Sequence, residues 1–301
     1  MQASCWQLVE IYPSSGELES NLLPLTINHN EVRFLRQSIL SDSRFSIDQD
    51  GNWHLRFFVD TEFEQRLFVR FLVADNVEAL RKQQAQQRDY NLKFKYLTRL
   101  VFSHLPTKEK EIDSQVLQAS RILKDTESIT EQHLFKTDYY RGYIDGRGEI
   151  FLSKYANDAN FKRHTILHAL AQAYMLAMSQ LKHRLRPSLV GQGDIRVLRA
   201  VYQDFVRFNA NCFYMQPVLY DRPSMCEAWQ RIDDAYRVCA ENRELFEKIK
   251  SVHFLLDLEN SEKEAEHREK SNAKMSQLSI TIAVVGVIIA LSTWLIEYLG
   301  Y

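Results

Sequence analysis

The sequence predicts an α+β body whose second half is helical, followed by a long stalk helix that leads into one transmembrane helix. Three observations predict it. Short apolar segments separated by turn residues fill the first half, and helix-period apolar stripes take over after Lys154. Leu278 to Ile296 then reads LSITIAVVGVIIALSTWLI, without a single charge. The expected regions are 1–154 (α+β), 155–256 (helical), 257–277 (charged stalk) and 278–296 (span).

The first half divides at its turns. Trp6 to Tyr12 fits a strand. Arg44 to Ile47, the turn Asp48-Gln49-Asp50-Gly51-Asn52, and Trp53 to Val59 fit a hairpin. Arg66 to Val73 fits a further strand. Asn76 to Leu105 and Lys108 to Lys124 are expected as helices, separated by Pro106 with Thr107 as the candidate cap. Tyr139 to Ile144, the turn Asp145-Gly146-Arg147-Gly148, and Glu149 to Ser153 read as a second hairpin.

Helices follow. Asp158 to Arg184 carries Leu167, Leu170, Ala171, Tyr174, Met178 and Leu181 on one stripe, and Pro187, Gly191 and Gly193 are expected to break it. Ile195 to Asn209 places Ile195, Leu198, Tyr202 and Phe205 on one face. After Pro217 and Pro223, Ser224 is the expected cap of a helix running, with or without a break, toward the membrane. Ala235, Val238, Asn242, Leu245, Ile249, Val252 and Leu256 recur at heptad spacing. That pattern suits either a coiled-coil seam, with Asn242 setting register, or packing onto the helical body. Asp257 to Lys274 mixes acids and bases all round, as a solvated stalk does.

The span of nineteen residues covers about 28 Å as a helix, close to the thickness of a bilayer's hydrocarbon core. A buried core helix is the alternative, but uncharged runs of this length are rare in soluble folds. Trp294, Tyr298 and Tyr301 cluster at its far end, while Lys263, Arg268, Lys270 and Lys274 precede it and no Lys or Arg follows. This asymmetry places the N-terminal side in the cytoplasm. With about five residues beyond the span and no signal-like segment in Met1 to Ser20, a tail anchor is expected. Cys5, Cys212, Cys226 and Cys239 match no zinc spacing and suit free thiols in a reducing compartment. One stripe of the span is distinct: Ser276, Ser279, Ala283, Gly286, Ala290, Thr293 and Glu297 alternate at three and four residues. Small residues admit close helix–helix contact, so this stripe reads as a packing interface or, alternatively, as a pore lining.

The chain has 301 residues, a net charge of −1, 45% hydrophobic and 26% charged residues. That is enough to bury a sizeable core. The near-neutral charge gives no support for a nucleic-acid partner. The mean hydropathy of −0.35 conceals the apolar run because the charged stretch beside it dilutes the average.

Little in the sequence points to catalysis. His164-Thr165-Ile166-Leu167-His168 puts two imidazoles one helical turn apart, the spacing of zinc-binding peptidase helices. Yet Thr165 stands where the general-base Glu belongs, and spacing assigns no third ligand. His164 and His168 are therefore candidate ligands of a degenerate metal enzyme at most, against the alternative of a packed helix. No phosphate-cradling glycine loop and no G-x-S-x-G are present. Neither enzyme activity nor a cofactor is expected. Lys162 and Arg163 begin the long helix, and Lys182, His183, Arg184 and Arg186 end it. These cations fit either a solvated, capped helix end or contacts to an anionic ligand or lipid headgroup.

Glu149-Ile-Phe-Leu-Ser153, followed by Arg163-His-Thr-Ile-Leu-His-Ala-Leu-Ala-Gln172, resembles the Rmd/Sif-type membrane-anchored proteins, a family often compared with CorA magnesium channels. The likeness continues through Asn242 to Leu258, the stalk and the span, and covers about half of the chain, Glu149 to Ile296. CorA channels have a second span and a Gly-Met-Asn loop, which are not found here, so magnesium selectivity does not carry over. The resemblance implies an architecture: a cytosolic α+β part, a stalk and a membrane helix in a homo-oligomer. The expected partners are the lipid bilayer, further copies of the chain, and a cytosolic protein or small ligand as trigger. The expected function is signal reception by the body and action through a helix bundle, as a CorA-like channel or a membrane-disrupting effector. Compact anchored effectors of that kind serve in phage defence, an analogy and no more. A membrane-tethered scaffold without a pore is the alternative.

Overall fold

A computed structural model describes residues 5–14, 22–86, 95–155, 158–190 and 195–298. The strands are β1 (Trp6–Pro13), β2 (Thr26–Ile27), β3 (Asn30–Glu31), β4 (Ser43–Ile47), β5 (Trp53–Phe57), β6 (Gln65–Ala74), β7 (Thr98–His104), β8 (Phe135–Lys136), β9 (Tyr140–Asp145) and β10 (Gly148–Ser153). The helices are α1 (Gln37–Ser41), α2 (Val77–Gln86), α3 (Ile112–Lys124), α4 (Ala159–Val190), α5 (Ile195–Asn211), α6 (Pro223–Tyr236) and α7 (Val238–Tyr298). Eight strands form one sheet in the order β4-β5-β6-β1-β7-β10-β9-β8, while β2 and β3 pair separately. Neighbours run antiparallel except β7 and β10, which are parallel. The fold is therefore mixed α and β, with the sheet first and the helices after it.

Alternation along the central strands sorts side chains to two faces. Val9, Ile11, Leu100, Phe102 and Phe151 meet α4 to α7 in one core. Trp6, Leu8, Val101, Ile150 and Leu152 meet α2 and α3 in another. The larger core runs without interruption from β1 to Ile249. The division expected at residue 154 is thus a change of secondary structure within one core.

The helix expected from Asn76 to Leu105 is corrected: α2 stops at Gln86 and Thr98 to His104 is the central strand β7. This strand is buried on both faces, so its sequence shows no polar–apolar alternation to distinguish it from a helix. The second helix starts with a 3-10 turn at Glu109–Glu111 whose N-cap is Lys108, one residue after Thr107. Asp48 shapes the first hairpin by accepting the backbone N–H groups of Asp50 (2.9 Å) and Asn52 (2.8 Å).

α4 lies between the sheet and the other helices. His164 to Tyr174 is buried all round, and Ala169, Ala171, Ala173 and Ala177 keep that packing close. The helix does not break at Pro187 but continues to Val190; a proline removes one backbone donor, which costs a helix stability without dictating its end. Gly191, Gly193 and Tyr301 lie outside the described residues. Ser224 is not a cap: α6 begins after Arg222 with Pro223 in its first turn, where the missing donor is harmless. Arg237 (φ 59°, ψ 35°) ends α6 in the left-handed conformation.

α7 then runs for 61 residues without a break, about 90 Å at the helical rise. Val238, Leu245 and Ile249 are fully buried within the chain, against α4 and α5. Asn242 donates to Asn209 of α5 at 2.7 Å. From Val238 to Ile249 the heptad seam is thus taken up by packing within the chain, while the side chain of Leu256 lies outside the described ones. From Phe254, 67% exposed, the helix leaves the body. The most apolar stretch within Ser261–Trp294 has a mean hydropathy of 2.0, none of it buried, and is long and apolar enough to cross a membrane.

Candidate functional site

The parallel pairing of β10 beside β7 brings a carboxylate beneath α4. Gly148 makes this possible. Its φ of +146° disfavours other residues, and a Cβ there would lie 1.6 Å from the Arg99 carbonyl oxygen. The next residue, Glu149, sits opposite Leu100 and points toward α4. His164 and His168, one turn apart on α4, converge on it. His164 Nδ1 lies 2.9 Å and 3.1 Å from the two carboxylate oxygens. His168 Nε2 lies 3.0 Å from Oε2. The other ring nitrogen of His168 is 2.8 Å from the hydroxyl of Tyr236, the last residue of α6. That hydroxyl is 2.6 Å from Thr98 Oγ1, which reaches the Arg147 carbonyl at 3.0 Å.

All three ionisable groups at the centre are at most 1% exposed. Burial alone would raise the Glu149 pKa, but the charge and hydrogen bonds of His164 and His168 outweigh it and hold the carboxyl at about 2. Burial pushes His168 below its ordinary value, with Glu149 acting against the shift. Burial also pushes the Tyr236 hydroxyl well up, so that it stays protonated. Tyr140 encloses the set from β9, stacked on Phe151 at 4.0 Å and edge-on to His164.

His164 and His168, paired in the sequence by helix period, share the Glu149 carboxylate as a partner. Each imidazole spends a ring nitrogen on Glu149. Among the described residues, no group of three or more His, Cys, Asp or Glu side chains is disposed to hold an ion. Glu149 and Tyr236 were not singled out for chemistry from the sequence. The available signal was one acid at an inward position of an otherwise uncharged strand, GEIFLS. Tyr236, some seventy residues from His168, carries no comparable signal.

A second charged cluster lies on the opposite face of the sheet. Glu10 of β1 faces Arg70 and Arg99 directly across its two neighbouring strands. Arg99 Nε lies 3.1 Å from Oε1, and an Arg70 guanidinium nitrogen 3.5 Å from Oε2. Tyr12 and Gln84 donate to the same carboxylate at 2.7 Å and 2.8 Å.

The other expected residues are dispersed. Lys162 pairs with Asp158 and bonds Asn28, and Arg163 bonds Asn160. Lys182 pairs with Glu241 of α7, and Arg184 with Asp204 and Glu62. Arg186 is exposed. The basic residues from 182 onward do not lie in the last turn of α4; Lys182 and Arg184 tie one element to another. The stripe Ser276, Ser279, Ala283, Gly286, Ala290 and Thr293 is exposed along α7, with open space at Gly286. Thr293 donates its hydroxyl back to Ile289 at 2.7 Å. Glu297 shares the stripe along the helix backbone, its side chain lying outside the described ones. The four cysteines are free thiols.

Comparison with protein families, curated proteins and solved structures gives no match. The site thus consists of a buried acid–imidazole cluster that continues into a partly buried phenol, Tyr236. It ends two residues before α7 begins.

Proposed function

We propose that this chain is a single-pass, homo-oligomeric membrane protein whose cytoplasmic body receives a signal and acts through a bundle of its transmembrane helices, as an ion channel or a membrane-disrupting effector. The observation that carries this reading is the continuity of α7. One helix is packed in the body at Val238, Leu245 and Ile249 and continues unbroken to Tyr298. A helix without a break passes rotation or tilt along its length, whereas a flexible linker would absorb it. The small-residue stripe supports association of the spans, and the basic residues before the span support a cytoplasmic body. The resemblance to the Rmd/Sif-type proteins points the same way.

Ion flux into vesicles loaded with the purified full-length chain tests the proposal. Flux is expected, in the presence of a cell-derived trigger if not without one, and its absence in both conditions rules out the pore. Gly286→Leu should reduce the oligomer size in detergent, because Leu blocks close approach at the stripe. An unchanged size removes the interface role. Replacing the span by an unrelated monomeric one separates the channel, which loses activity, from a tethered scaffold, which keeps it.

A further inference from the structure

Helix α7 has a second face. Leu245 and Ile249 anchor it in the body, and Phe254 points about 180° and about 140° away from them at 3.6 residues per turn. Beside Phe254, where α7 leaves the body, lies a groove of 660 Å³, lined by Tyr202 of α5 and by Glu247, Lys250, Ser251, Phe254 and Asp257 of α7. Leu258 follows one turn on, 48% exposed beside the 67% of Phe254. The helix is unbroken, so the face can be followed along it. It carries Ser261, Ala265 and Asn272 in the stalk and then the stripe from Ser276 to Thr293 in the span. All of these lie within about 60° of Phe254 around the axis. Between Ser261 and Lys274, Arg268 is the one charged residue within about 40° of it. The groove and the small-residue stripe thus look the same way, opposite to the face that packs on the body.

We propose that this face, from Glu247 onward, is where the α7 of a second copy of the chain docks, so that contact begins in the groove beside the body as well as in the membrane. This docking rests on the homo-oligomeric, single-pass reading above. Copies that enter one membrane in the same orientation bring their α7 helices together parallel and at equal height. A face that follows 3.6 residues per turn runs straight along the axis, so two straight helices stay in contact along it. Phe254 and Leu258 then cover each other's exposed area across the contact. The charges fit the same register. Glu244 pairs with Lys248 and Asp257 with His253, but among the described residues Glu247 and Lys250 have no ion pair within the chain. In a parallel pair, Glu247 of each copy meets Lys250 of the other, and two reciprocal ion pairs close. Tyr202, whose ring lies 5.0 Å from that of His253, forms the flank of the groove. Farther along, the small residues of the stripe admit the same close approach.

Cysteine cross-linking of the full chain in membranes tests this contact. Phe254→Cys, treated with copper phenanthroline, should give a product at twice the chain mass of 35.4 kDa. Its yield should exceed that of the wild type, whose four native thiols set the background, by about fivefold or more. Lys248→Cys, displaced about 120° around the helix, should stay near that background. Equal yields at the two positions overturn the docking face. A product of another mass gives the groove to a different protein and overturns the second copy as its occupant. Lys250→Glu should weaken self-association in detergent about fivefold, and the exchange of Glu247→Lys with Lys250→Glu should restore it to within about twofold. A loss that the exchange does not restore overturns the parallel register. If Gly286→Leu reduces the oligomer while Phe254→Cys stays at background, the spans associate alone: this inference fails and the membrane reading stands. A cross-link without ion flux defeats the channel and leaves the contact.

Discussion

The two faces of the sheet bury the same anion in different company. On the face covered by α2 and α3, Glu10 lies between two guanidinium groups that stay charged at any physiological pH. On the face covered by α4 to α7, Glu149 lies between two imidazoles, which can give up their charge. The first arrangement is electrostatically permanent and acts as a rivet across three adjacent strands. The second holds its anion with imidazoles, and through Tyr236 it reaches to within two residues of α7. A charge cluster is therefore defined less by its anion than by whether its cations can be switched off.

Gly148 stands where the two faces meet, pairing with Arg99 while presenting Glu149. Gly148→Ala should have the largest effect, about 4 kcal/mol or more, because strand β10 cannot stay in place with a Cβ there. Urea unfolding measures it, and a loss below about 1 kcal/mol would mean that the two strands can move apart freely. Next come the two anions. Glu10→Ala should cost about 2–4 kcal/mol, since it takes the shared buried carboxylate from Arg70 and Arg99, of which Arg99 keeps Asp125 at 3.4 Å. Glu149→Gln should cost less, about 1–3 kcal/mol, because the imidazoles can become neutral. If the order is reversed in urea titrations, the imidazoles carry more charge than the comparison allows.

The smallest effect should be the dependence on pH. The folded His168 pKa lies below its ordinary 6.5, so its contribution to stability is complete above pH 6.5 and falls as the pH drops below that value. Below the ordinary Glu value of 4.5, a second loss follows as the pH approaches the folded Glu149 pKa of about 2. His168→Gln should make the stability profile shallower between pH 6.5 and 4.5. An equally steep decline in the variant would assign that proton elsewhere.

Much of this was legible in the sequence, for identifiable reasons. The hairpins at residues 43–57 and 140–153 carry turn chemistry that fixes them locally, and the span carries a composition that few soluble helices share. The His164–His168 pair is legible because helix period alone places it. Strand β7 was not legible: Leu100, Val101 and Phe102 are buried on alternate faces of a sheet that exists only once distant strands have assembled. The partners of His168 are hidden for the same reason, since Glu149 and Tyr236 reach it through tertiary packing. The heptad seam at Asn242, Leu245 and Ile249 was legible as a buried stripe, but its partner, inside or outside the chain, was not. A helix period records that a face is covered and says nothing of what covers it.

The length of α7 beyond the body has a mechanical consequence. From Phe254 to Tyr298 the helix extends about 65 Å, so that a tilt of about 5° at its root displaces the far end by roughly 6 Å, more than the radius of a helix. The exposed segment thus works as a lever arm. A displacement of a few tenths of an ångström at the root of α7, too small to alter the body's shape, is multiplied along the helix before it reaches Gly286.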